Sequence, residues 1–222
     1  MFLTLKTKMR LDINLTQDKE ERNVFFTSDF HMYHNNVLKF DSRPFEDIHE
    51  MHLALEERWN EVVGPNDIVI YLGDLDFARG DDKPSVEGMM YRLNGTIHFV
   101  MGNHDKYGDI KKIGKFESVN DYLEVRIKHM FPDSNSGVLK VTETLFCCMH
   151  YPIFEWNKKH NGSYHIHGHS HGNIYHGEES GYYEGRRVMD VGCMLHNYTP
   201  ISYKTVMDTL GVIPIKSLKD RV

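Results

Sequence analysis

The stretch Ile68-Val69-Ile70-Tyr71-Leu72-Gly73-Asp74 decides the fold class of this chain. Its leading residues, from Ile68 to Leu72, are all apolar or aromatic, which predicts a short buried strand. The turn residues Gly64-Pro65-Asn66-Asp67 separate this strand from the segment before it. Gly73-Asp74 follows the strand directly, so a carboxylate stands at its carboxyl end.

Helices and strands alternate around this stretch. Apolar residues recur at helical spacing from Ile48 to Val62, and Pro84 to Leu93 has the pattern of a second helix. Val24 to Thr27 and Ile97 to Met101 are short apolar runs that predict two further buried strands. This alternation predicts an α/β fold.

Each of these three strands is followed by polar residues that suit metal binding. Ser28-Asp29-Phe30-His31 follows the first strand, Gly73-Asp74 the second and Gly102-Asn103-His104-Asp105 the third. Ligands in α/β proteins bind beyond the carboxyl ends of the strands. We therefore expect the three clusters to share one crevice.

The chain after Asp105 is richer in predicted strands. The patterns there predict a strand at 123–128, a turn at 132–137, a hairpin formed by 138–141 and 145–149, a strand at 187–191 and a short helix at 201–210. At the amino end, residues 3–15 alternate apolar and polar side chains, which predicts a half-buried strand in a hairpin or at a sheet edge. An exposed edge there would permit a homodimer formed by strand pairing.

Histidines are concentrated in one part of the chain. Seven of the 15 histidines fall between positions 150 and 176, including the glycine-flanked pair in Gly168-His169-Ser170-His171-Gly172. Two imidazoles one residue apart at a strand end are typical of metal ligands. Spacing alone does not select the ligands among four alternating histidines, because these would share one face of an unbroken strand. The four are His165, His167, His169 and His171.

The polar clusters and the histidines together form one candidate metal-binding set. Its members are Asp29, His31, Asp74, Asn103, His104, His150, His169 and His171. Carboxylates combined with neutral imidazoles suit Mn, Fe, Zn or Co at catalytic sites. The set is too large for one metal ion. Two metal ions about 3.5–4 Å apart, sharing a bridging carboxylate, would use it economically.

The same residues resemble the motifs of a known family. Asp29-x-His31, Gly73-Asp74, Gly102-Asn103-His104-Asp105, His150 and Gly168-His169-x-His171 resemble, in order, the five motifs of the calcineurin-like metallophosphoesterases. The resemblance spans roughly residues 24 to 200. It implies a four-layer αββα sandwich, of metallophosphatase type, in which two mixed β-sheets are flanked by helices. His34 and Arg43-Pro44-Phe45 add a likeness to small bacterial and phage-encoded members.

The resemblance also implies a role for each matched residue. One metal ion would be held by Asp29, His31 and His171, and the second by Asn103, His150 and His169, with Asp74 bridging the two. His104 would act as general acid for the leaving oxygen. A hydroxide bridging the metals would attack phosphorus in line. The two metals are expected to be Mn, with Fe, Zn, Ni and Co as alternatives.

Several neighbouring positions have two interpretations. His34 is either a phosphate contact or a solvated residue at a helix start, and Arg43 is either a bidentate phosphate donor or part of a structural salt bridge. Asp105 or Asp76 would orient His104. Larger phosphatases of the family carry Gly-Asp-x-x-Asp-Arg-Gly, and the departure here leaves Asp76 and Arg79 without a carried-over role.

Other residues of the segment are expected to pack rather than react. With the strand ending at Gly168, His165 and His167 become packing residues or residues that support the ligands. Tyr151, Trp156 and Tyr198 would either stack on a base or aryl group of a substrate or belong to the core.

Composition limits the remaining possibilities. The 222 residues, 40% hydrophobic and 26% charged, predict one globular domain over 1–222, with an N-terminal strand extension at 1–16. The net charge of −6 disfavours strong binding to duplex nucleic acid. An odd number of cysteines (Cys147, Cys148 and Cys193) fits small apolar residues in buried strands and a reducing cytoplasm. No apolar run suggests a signal peptide or a membrane span.

These observations predict a two-metal phosphoesterase that acts in the cytoplasm, including the host cytoplasm if the protein is phage-encoded. Its substrate would be a phosphodiester, such as a nucleotide or cyclic nucleotide, or a phosphomonoester. The alternatives are a nuclease of the same family and a non-catalytic, metal-bound interaction module. The chain is expected to be a monomer or a homodimer.

Overall fold

The computed structural model describes residues 10–16, 22–132, 138–175, 181 and 183–211. The strands in these residues are β1 (Arg10–Asn14), β2 (Val24–Thr27), β3 (Ile68–Tyr71), β4 (Thr96–Val100), β5 (Phe116–Asn120), β6 (Leu123–Pro132), β7 (Leu139–Cys148), β8 (Tyr164–His167), β9 (Val188–Asp190) and β10 (Ile201–Ser202). The α-helices are α1 (Val37–Phe40), α2 (Ile48–Val62), α3 (Lys83–Arg92), α4 (Tyr107–Ile113) and α5 (Tyr203–Leu210). Among these helices, none has the length and apolar character needed to cross a membrane.

The strands form two mixed sheets. The first sheet has the order β10-β2-β3-β4-β5, in which only β10 is antiparallel to its neighbour. The second sheet has the order β1-β6-β7-β8-β9, in which only the β6–β7 pair is antiparallel. Every residue of β2 and β3 is buried, as expected for parallel strands covered on both faces. The predicted α/β class with two mixed sheets is therefore confirmed.

Helix α2 illustrates how the sequence specifies the layer outside the first sheet. Asp47 caps the helix by accepting hydrogen bonds from the backbone N–H groups of His49 and Glu50, at 2.8 and 2.9 Å. Met51, Leu55 and Trp59 follow at four-residue spacing, and all three are fully buried. They pack in one core cluster with residues of α3, α4 and the first sheet.

A second core cluster lies between the two sheets. Phe26 of β2 packs against Phe146 of β7, with ring centroids 5.2 Å apart. Ile70 of β3 and Ile166 of β8 belong to the same cluster, and both are fully buried. Helix α5 contributes Val206 to it, so this helix closes one side of the space between the sheets.

The outer face of the second sheet differs from the four-layer expectation. In the described part of the chain, this face is covered by Trp156 and Ile153 from the loop after β7, which pack with Cys147 and Val188. No α-helix of the described residues joins this cluster. Over the residues that the structure describes, the layers are thus helices, sheet and sheet, with a loop in place of the second helical layer.

Two local predictions are corrected by the structure. The expected hairpin of 138–141 and 145–149 is wrong, because 139–148 form the single strand β7, antiparallel to β6 along its whole length. The polar residues 142–144, taken as a turn, instead continue the strand, and Glu143 pairs with Arg126 of β6 at 3.0 Å. The predicted helix at 201–210 begins only at Tyr203, since Ile201 and Ser202 form β10.

The predicted amino-terminal strand is confirmed where it is described. Arg10–Asn14 form β1, which pairs in parallel with β6 at the edge of the second sheet. Residues 3–9 of that prediction, and 133–137 of the predicted turn, lie outside the described residues. The cysteines are buried as expected, although Cys193 lies in a 3-10 helical turn rather than in a strand.

Replacing Leu55 by Ala should lower the free energy of unfolding by about 2–5 kcal/mol, because Leu55 is 0% exposed and its removal leaves a cavity. Leu53→Ala on the same helix is the matched control, since Leu53 is 70% exposed and should change stability by less than about 0.5 kcal/mol. Urea unfolding followed by circular dichroism measures both. Equal losses in the two variants would contradict the assigned helix face.

Candidate metal centre

The predicted polar clusters meet at one place, beyond the carboxyl ends of strands from both sheets. The loops after β2, β3 and β4 come from the first sheet, and the loops after β7 and β8 come from the second. Backbone hydrogen bonds join them: Asp29 N–H donates to Gly73 O at 3.0 Å, and Gly168 N–H donates to His150 O at 3.0 Å. The ligand loops are therefore held to each other rather than projecting separately.

The backbone at this place is strained. Five candidate ligands have positive φ angles in the left-handed region, which residues other than glycine rarely adopt. They are Asp29 (61°), His31 (51°), Asp74 (58°), His169 (67°) and His171 (49°). Such conformations cost free energy, so the surrounding contacts must hold them in place.

The first ligand group consists of Asp29, His31 and His171. The Nε2 atoms of His31 and His171 lie 3.0 Å apart. Asp29 Oδ1 lies 3.7 Å from the former and 3.6 Å from the latter. Their ligand atoms thus converge on one point, with Asp29 and His31 buried.

The second ligand group consists of Asp74, His150 and His169, whose ligand atoms also lie within 4.8 Å of one another. His150 Nε2 lies 3.4 Å from Asp74 Oδ2 and 3.0 Å from Asn103 Oδ1. His150 is buried, and its Nδ1 is 2.6 Å from the backbone oxygen of Leu72. That contact fixes the ring so that Nε2 faces the group.

Asp74 connects the two groups. Its Oδ2 atom is 3.4 Å from His150 Nε2 in the second ligand group and 3.7 Å from His31 Nε2 in the first. Its Oδ1 atom accepts a hydrogen bond from the backbone N–H of His104 at 3.0 Å. One carboxylate oxygen is therefore adjacent to both candidate metal positions.

The centre holds buried negative charge. Asp29 and Asp74 are 0% and 2% exposed, and within the described residues the ion pairs of their carboxylates involve only histidines. Burial alone would raise the pKa of Asp29, but contacts with His171 and His31 hold that pKa well below its usual range. Likewise, burial would lower the pKa of His171, but the carboxylates of Asp29 and Asp41 raise it to about 10. Buried carboxylates beside imidazole nitrogens are the surroundings that a divalent cation requires.

Asp41 supports the first ligand group and was not predicted from the sequence. Its Oδ1 lies 2.7 Å from His171 Nδ1, and its Oδ2 accepts hydrogen bonds from Arg43 Nε and Nη2 at 3.0 and 2.8 Å. A carboxylate behind a ligating histidine orients the ring and makes it a stronger ligand. In the sequence, Asp41 looks like an ordinary residue after a short helix, and no local pattern links it to a histidine 130 residues away.

The structure excludes Arg43 as a substrate contact. Its side chain has no exposed surface. The guanidinium donates to the backbone oxygens of Phe30 and Asp29, at 2.8 and 2.9 Å, and pairs with Asp41. Of the two interpretations of Arg43, the structure therefore supports a structural salt bridge. Arg43 stabilises the conformation of the loop after β2.

The sequence suggested that Asp105 or Asp76 orients the His104 ring, but both carboxylates have other hydrogen-bond partners in the described residues. The carboxylate of Asp105 accepts hydrogen bonds from the backbone N–H groups of Gly102, Asp74 and Leu75, at 2.7, 2.8 and 3.0 Å. Asp76 accepts from Ala78 N–H and from Lys83 Nζ, both at 2.8 Å. Asp105 instead fastens the loop after β4 to the loop after β3.

His104 lies on the open side of the centre. Its side chain is 44% exposed, and Nε2 is 4.0 Å from Asp74 Oδ2. The ring of Phe77 lies 4.6 Å from that of His104 and stacks on His34 at 4.2 Å. His34 is thus close enough to the centre to remain a candidate substrate contact. Asn103 and His169 are also exposed.

The histidines of β8 are packing residues, as predicted. His165 Nδ1 lies 2.8 Å from the Cys147 backbone oxygen, and its Nε2 accepts a hydrogen bond from Ile153 N–H at 3.1 Å. His167 Nδ1 lies 2.7 Å from the backbone oxygen of Gly168. Both rings are fully buried.

The three candidate stacking aromatics separate into two classes. Trp156 and Tyr198 are buried and belong to core clusters. Tyr151 is 39% exposed, and its ring lies 4.6 Å from that of His169. Only Tyr151 of the three is placed to contact a molecule bound at the centre.

The fold and this centre define an α/β protein of two mixed sheets with paired aspartate–histidine groups beyond its strand ends. No family model matches the chain. It is 31% identical over 187 residues to Uncharacterized protein MJ1445 of Methanocaldococcus jannaschii, covering 84% of this chain and 90% of the archaeal protein. The chain therefore belongs to the same family as that protein.

Two phage proteins and one solved structure are also similar. Gene 66 protein of Mycobacterium phage D29 is 29% identical over 169 residues, covering 68% of this chain and 80% of its own length. Gene 66 protein of Mycobacterium phage L5 is 26% identical over 168 residues, covering 67% and 77%. The crystal structure of AQ665, a protein of unknown function from Aquifex aeolicus, has a TM-score of 0.60 at 20% identity, covering 85% of this chain and 99% of that one. It shares the fold.

Gly102→Ala should displace Asp74 and weaken divalent-metal binding. An added Cβ at this position would lie 2.2 Å from Asp74 Oδ1, which is closer than atoms can approach. Overpacking of this kind should also cost about 1–3 kcal/mol of stability. Gly108→Ala in α4 is the control, because its Cβ would meet nothing within 4 Å. Mn²⁺ titration by calorimetry compares them, and equal affinity in both would contradict the close approach.

His165 should make the fold sensitive to acid. Burial lowers its pKa from 6.5 to about 3, so below pH 6.5 the unfolded chain binds a proton that the folded chain does not. Its contribution to stability is present above pH 6.5 and is lost as pH falls toward 3, at up to ~1.4 kcal/mol per pH unit. His165→Gln cannot titrate and should show a correspondingly shallower dependence in urea unfolding between pH 6.5 and 4. Parallel curves for the two proteins would refute this.

Proposed function

We propose that the chain is a phosphoesterase that uses two divalent metal ions, of the calcineurin-like metallophosphoesterase type. The observation that carries this proposal is the position of Asp74, one oxygen of which lies beside both His31 and His150. A shared carboxylate between two ligand groups is the arrangement that a binuclear centre needs. Two mixed sheets with the ligand loops at their joint edge also support a metallophosphatase-type fold.

The donor set fits such a pair of cations. Asp29, His31 and His171 would hold one metal ion, Asn103, His150 and His169 the other, and Asp74 would bridge them. Oxygen and imidazole donors without thiolates suit Mn, with Fe, Zn, Ni or Co as alternatives. When bound, the two ions would supply an activated water and neutralise charge on the phosphoryl group, which favours in-line displacement at phosphorus.

His104 is the proposed general acid. Its imidazole is on the open side of the centre, where a leaving oxygen can reach it, and its backbone N–H holds Asp74 Oδ1 at 3.0 Å. His104 thus does two things: its backbone holds the bridging carboxylate of Asp74, and its side chain is the proposed acid. Protonating the leaving oxygen stabilises it as the phosphorus–oxygen bond breaks.

The surrounding residues keep the donors in position. Asp41 holds His171 through Nδ1, so that Nε2 faces the first ligand group. Arg43 fixes Asp41 and the backbone of Asp29 without exposing its charge to a substrate. Asp105 fixes the backbone at Asp74, so each carboxylate of the centre is held in place by a residue from another loop.

The substrate class is a phosphate ester small enough to enter between the exposed residues His104 and His169. The net charge of −6 disfavours long duplex nucleic acid and favours nucleotides or other small phosphodiesters. The similarity to two mycobacteriophage proteins supports a phage-encoded enzyme that acts in the host cytoplasm.

The proposal is tested with bis(p-nitrophenyl) phosphate, added Mn²⁺ and metal-stripped protein as the blank. His104→Ala should keep the bound metal but lower kcat by about 10²–10⁴-fold on a diester with a poor leaving group, such as the dinucleotide TpT, because it removes only the proton donor. The p-nitrophenolate of the chromogenic diester leaves without a proton, so that substrate reports the metal centre alone. His160→Ala is the matched control, since this histidine is an exposed surface residue beside Glu155 and should leave both quantities unchanged.

Metal content by mass spectrometry and turnover must be read together. Loss of metal in His104→Ala would show that His104 is a ligand rather than the acid. Absence of turnover of mono- and diesters with Mn²⁺, Fe²⁺, Zn²⁺, Ni²⁺ and Co²⁺ alike would overturn the proposed activity.

A further inference from the structure

A cavity of about 200 Å³ opens directly beside His104. Its walls are the loop from Asp76 to Lys83, which precedes α3, and the segment from His104 to Ile110, which leads into α4. Neither ligand group contributes a residue to this cavity. The cavity is therefore separate from the metal centre, and His104, the proposed general acid, lies between the two.

The cations lining this cavity are not equivalent. Lys83 Nζ is held between carboxylates, 2.8 Å from Asp76 Oδ1 and 3.7 Å from Asp109 Oδ2. Arg79 and Lys106 are exposed, and in the described residues neither has a side-chain hydrogen bond or ion pair. Two positive charges thus face the cavity without a partner of opposite charge.

The acidic residues of the cavity do not neutralise these two cations. Asp105 accepts hydrogen bonds from three backbone N–H groups and lies at the base of the loops. Asp76 is bound to Lys83, and Asp109 lies near Lys83 and Lys112. An anion entering the cavity would therefore meet Arg79 and Lys106, and guanidinium groups bind phosphate in bidentate fashion.

Phe77 and His104 form the wall between the cavity and the metal centre. Their rings lie 4.6 Å apart, and His104 Nε2 is 4.0 Å from Asp74 Oδ2 on the other side. A leaving oxygen protonated by His104 consequently lies next to the cavity. The rest of the leaving group extends toward Arg79 and Lys106.

We propose that this cavity, which we call the leaving-group pocket, selects phosphodiesters whose leaving group carries a second phosphate. The inference rests on the proposed phosphoesterase function. In the reaction, the oxygen of water forms the new bond to phosphorus and releases one proton to solvent, while the bond from phosphorus to the leaving oxygen breaks. The electron pair stays on the leaving oxygen, which takes the proton of His104. The second phosphate is bound by Arg79 and Lys106 and is not itself transferred.

The test compares three thymidine dinucleotides with Mn²⁺: TpT, pTpT and TpTp. Whichever of the two ester bonds breaks, one of pTpT and TpTp carries its extra phosphate on the nucleoside that leaves. That form should be cleaved with kcat/KM at least about tenfold higher than TpT, the usual effect of one charge-assisted contact. Its hydrolysis yields two molecules of one thymidine monophosphate, whereas cleavage at the other bond yields thymidine and a bisphosphate. Chromatography distinguishes these products.

Arg79→Ala and Lys106→Ala should each reduce this advantage over TpT by about tenfold. Lys111→Ala is the matched control, because it removes the same charge from an exposed position on α4 that does not line the pocket. It should leave the ratio unchanged. A preference that survives in Arg79→Ala and Lys106→Ala, or falls equally in Lys111→Ala, would overturn the assignment.

A binding measurement separates this inference from the activity itself. Thymidine 5′- and 3′-monophosphates, titrated into the metal-free protein by calorimetry, should bind more tightly than thymidine, and Arg79→Ala should abolish the difference. If that difference is present but no ester is hydrolysed, the phosphate site stands and the proposed activity fails. If all three dinucleotides are hydrolysed equally and the monophosphates bind no better than thymidine, the leaving-group pocket is refuted while the phosphoesterase stands.

Discussion

The burial of two carboxylates at the junction of the two sheets is the constraint on which the rest of this structure depends. Asp29 and Asp74 are almost wholly removed from water, and within the described residues the ion pairs of their carboxylates involve only imidazoles. Burying an ionised carboxylate without compensation costs several kcal/mol, roughly the whole stability of a domain. The centre can persist only because surrounding donors and cationic partners compensate that cost, and divalent cations would complete this compensation.

The fold provides the compensation through its loops rather than through its helices. The chain leaves β2 and β3 in left-handed conformations, and the two loops then bond to each other, His31 N–H donating to Asp74 O at 3.1 Å. Asp105 and Arg43 act from behind, one on the backbone of Asp74 and the other on that of Asp29. The backbone strain at Asp29 and Asp74 is thus offset by the hydrogen bonds that Arg43 and Asp105 make to the same backbone segments.

The residues that the structure brings together at the candidate centre were predicted from the sequence, whereas the residues that support them were not. Asp29, Asp74 and His150 were found because each follows an apolar strand directly, and strand ends are set by local pattern. Asp41 and the structural role of Arg43 depend on a contact with His171 that spans 130 residues, which no local pattern encodes. For this reason the sequence alone could not show whether Arg43 binds phosphate or is a buried structural residue.

The errors in the fold have the same origin. Residues 138–149 were divided into two strands because Thr142, Glu143 and Thr144 are polar. In the structure they pair with β6 in an antiparallel ladder, where Thr142 Oγ1 donates to His129 O and Glu143 pairs with Arg126. The outer helical layer on the second sheet was implied by the resemblance alone, and in the described part of the chain Trp156 covers that face from a loop. Local pattern predicts elements, but only tertiary contacts determine how they are covered.

Burial changes sharply across the centre. This gradient separates the residues proposed to hold metal ions from those proposed to meet the substrate. Asp29, Asp74 and His150 lie at the buried side, where low solvent access would strengthen their interaction with a bound cation. His104 and His169 lie at the exposed side, where the proposed substrate would enter and leave. Since the backbone N–H of His104 also donates to Asp74 Oδ1, the loop after β4 connects the buried carboxylate to the exposed imidazole. Under the proposed function, changes in the exposed loops around 76–83 and 104–110 would alter the substrate without disturbing the buried candidate ligands.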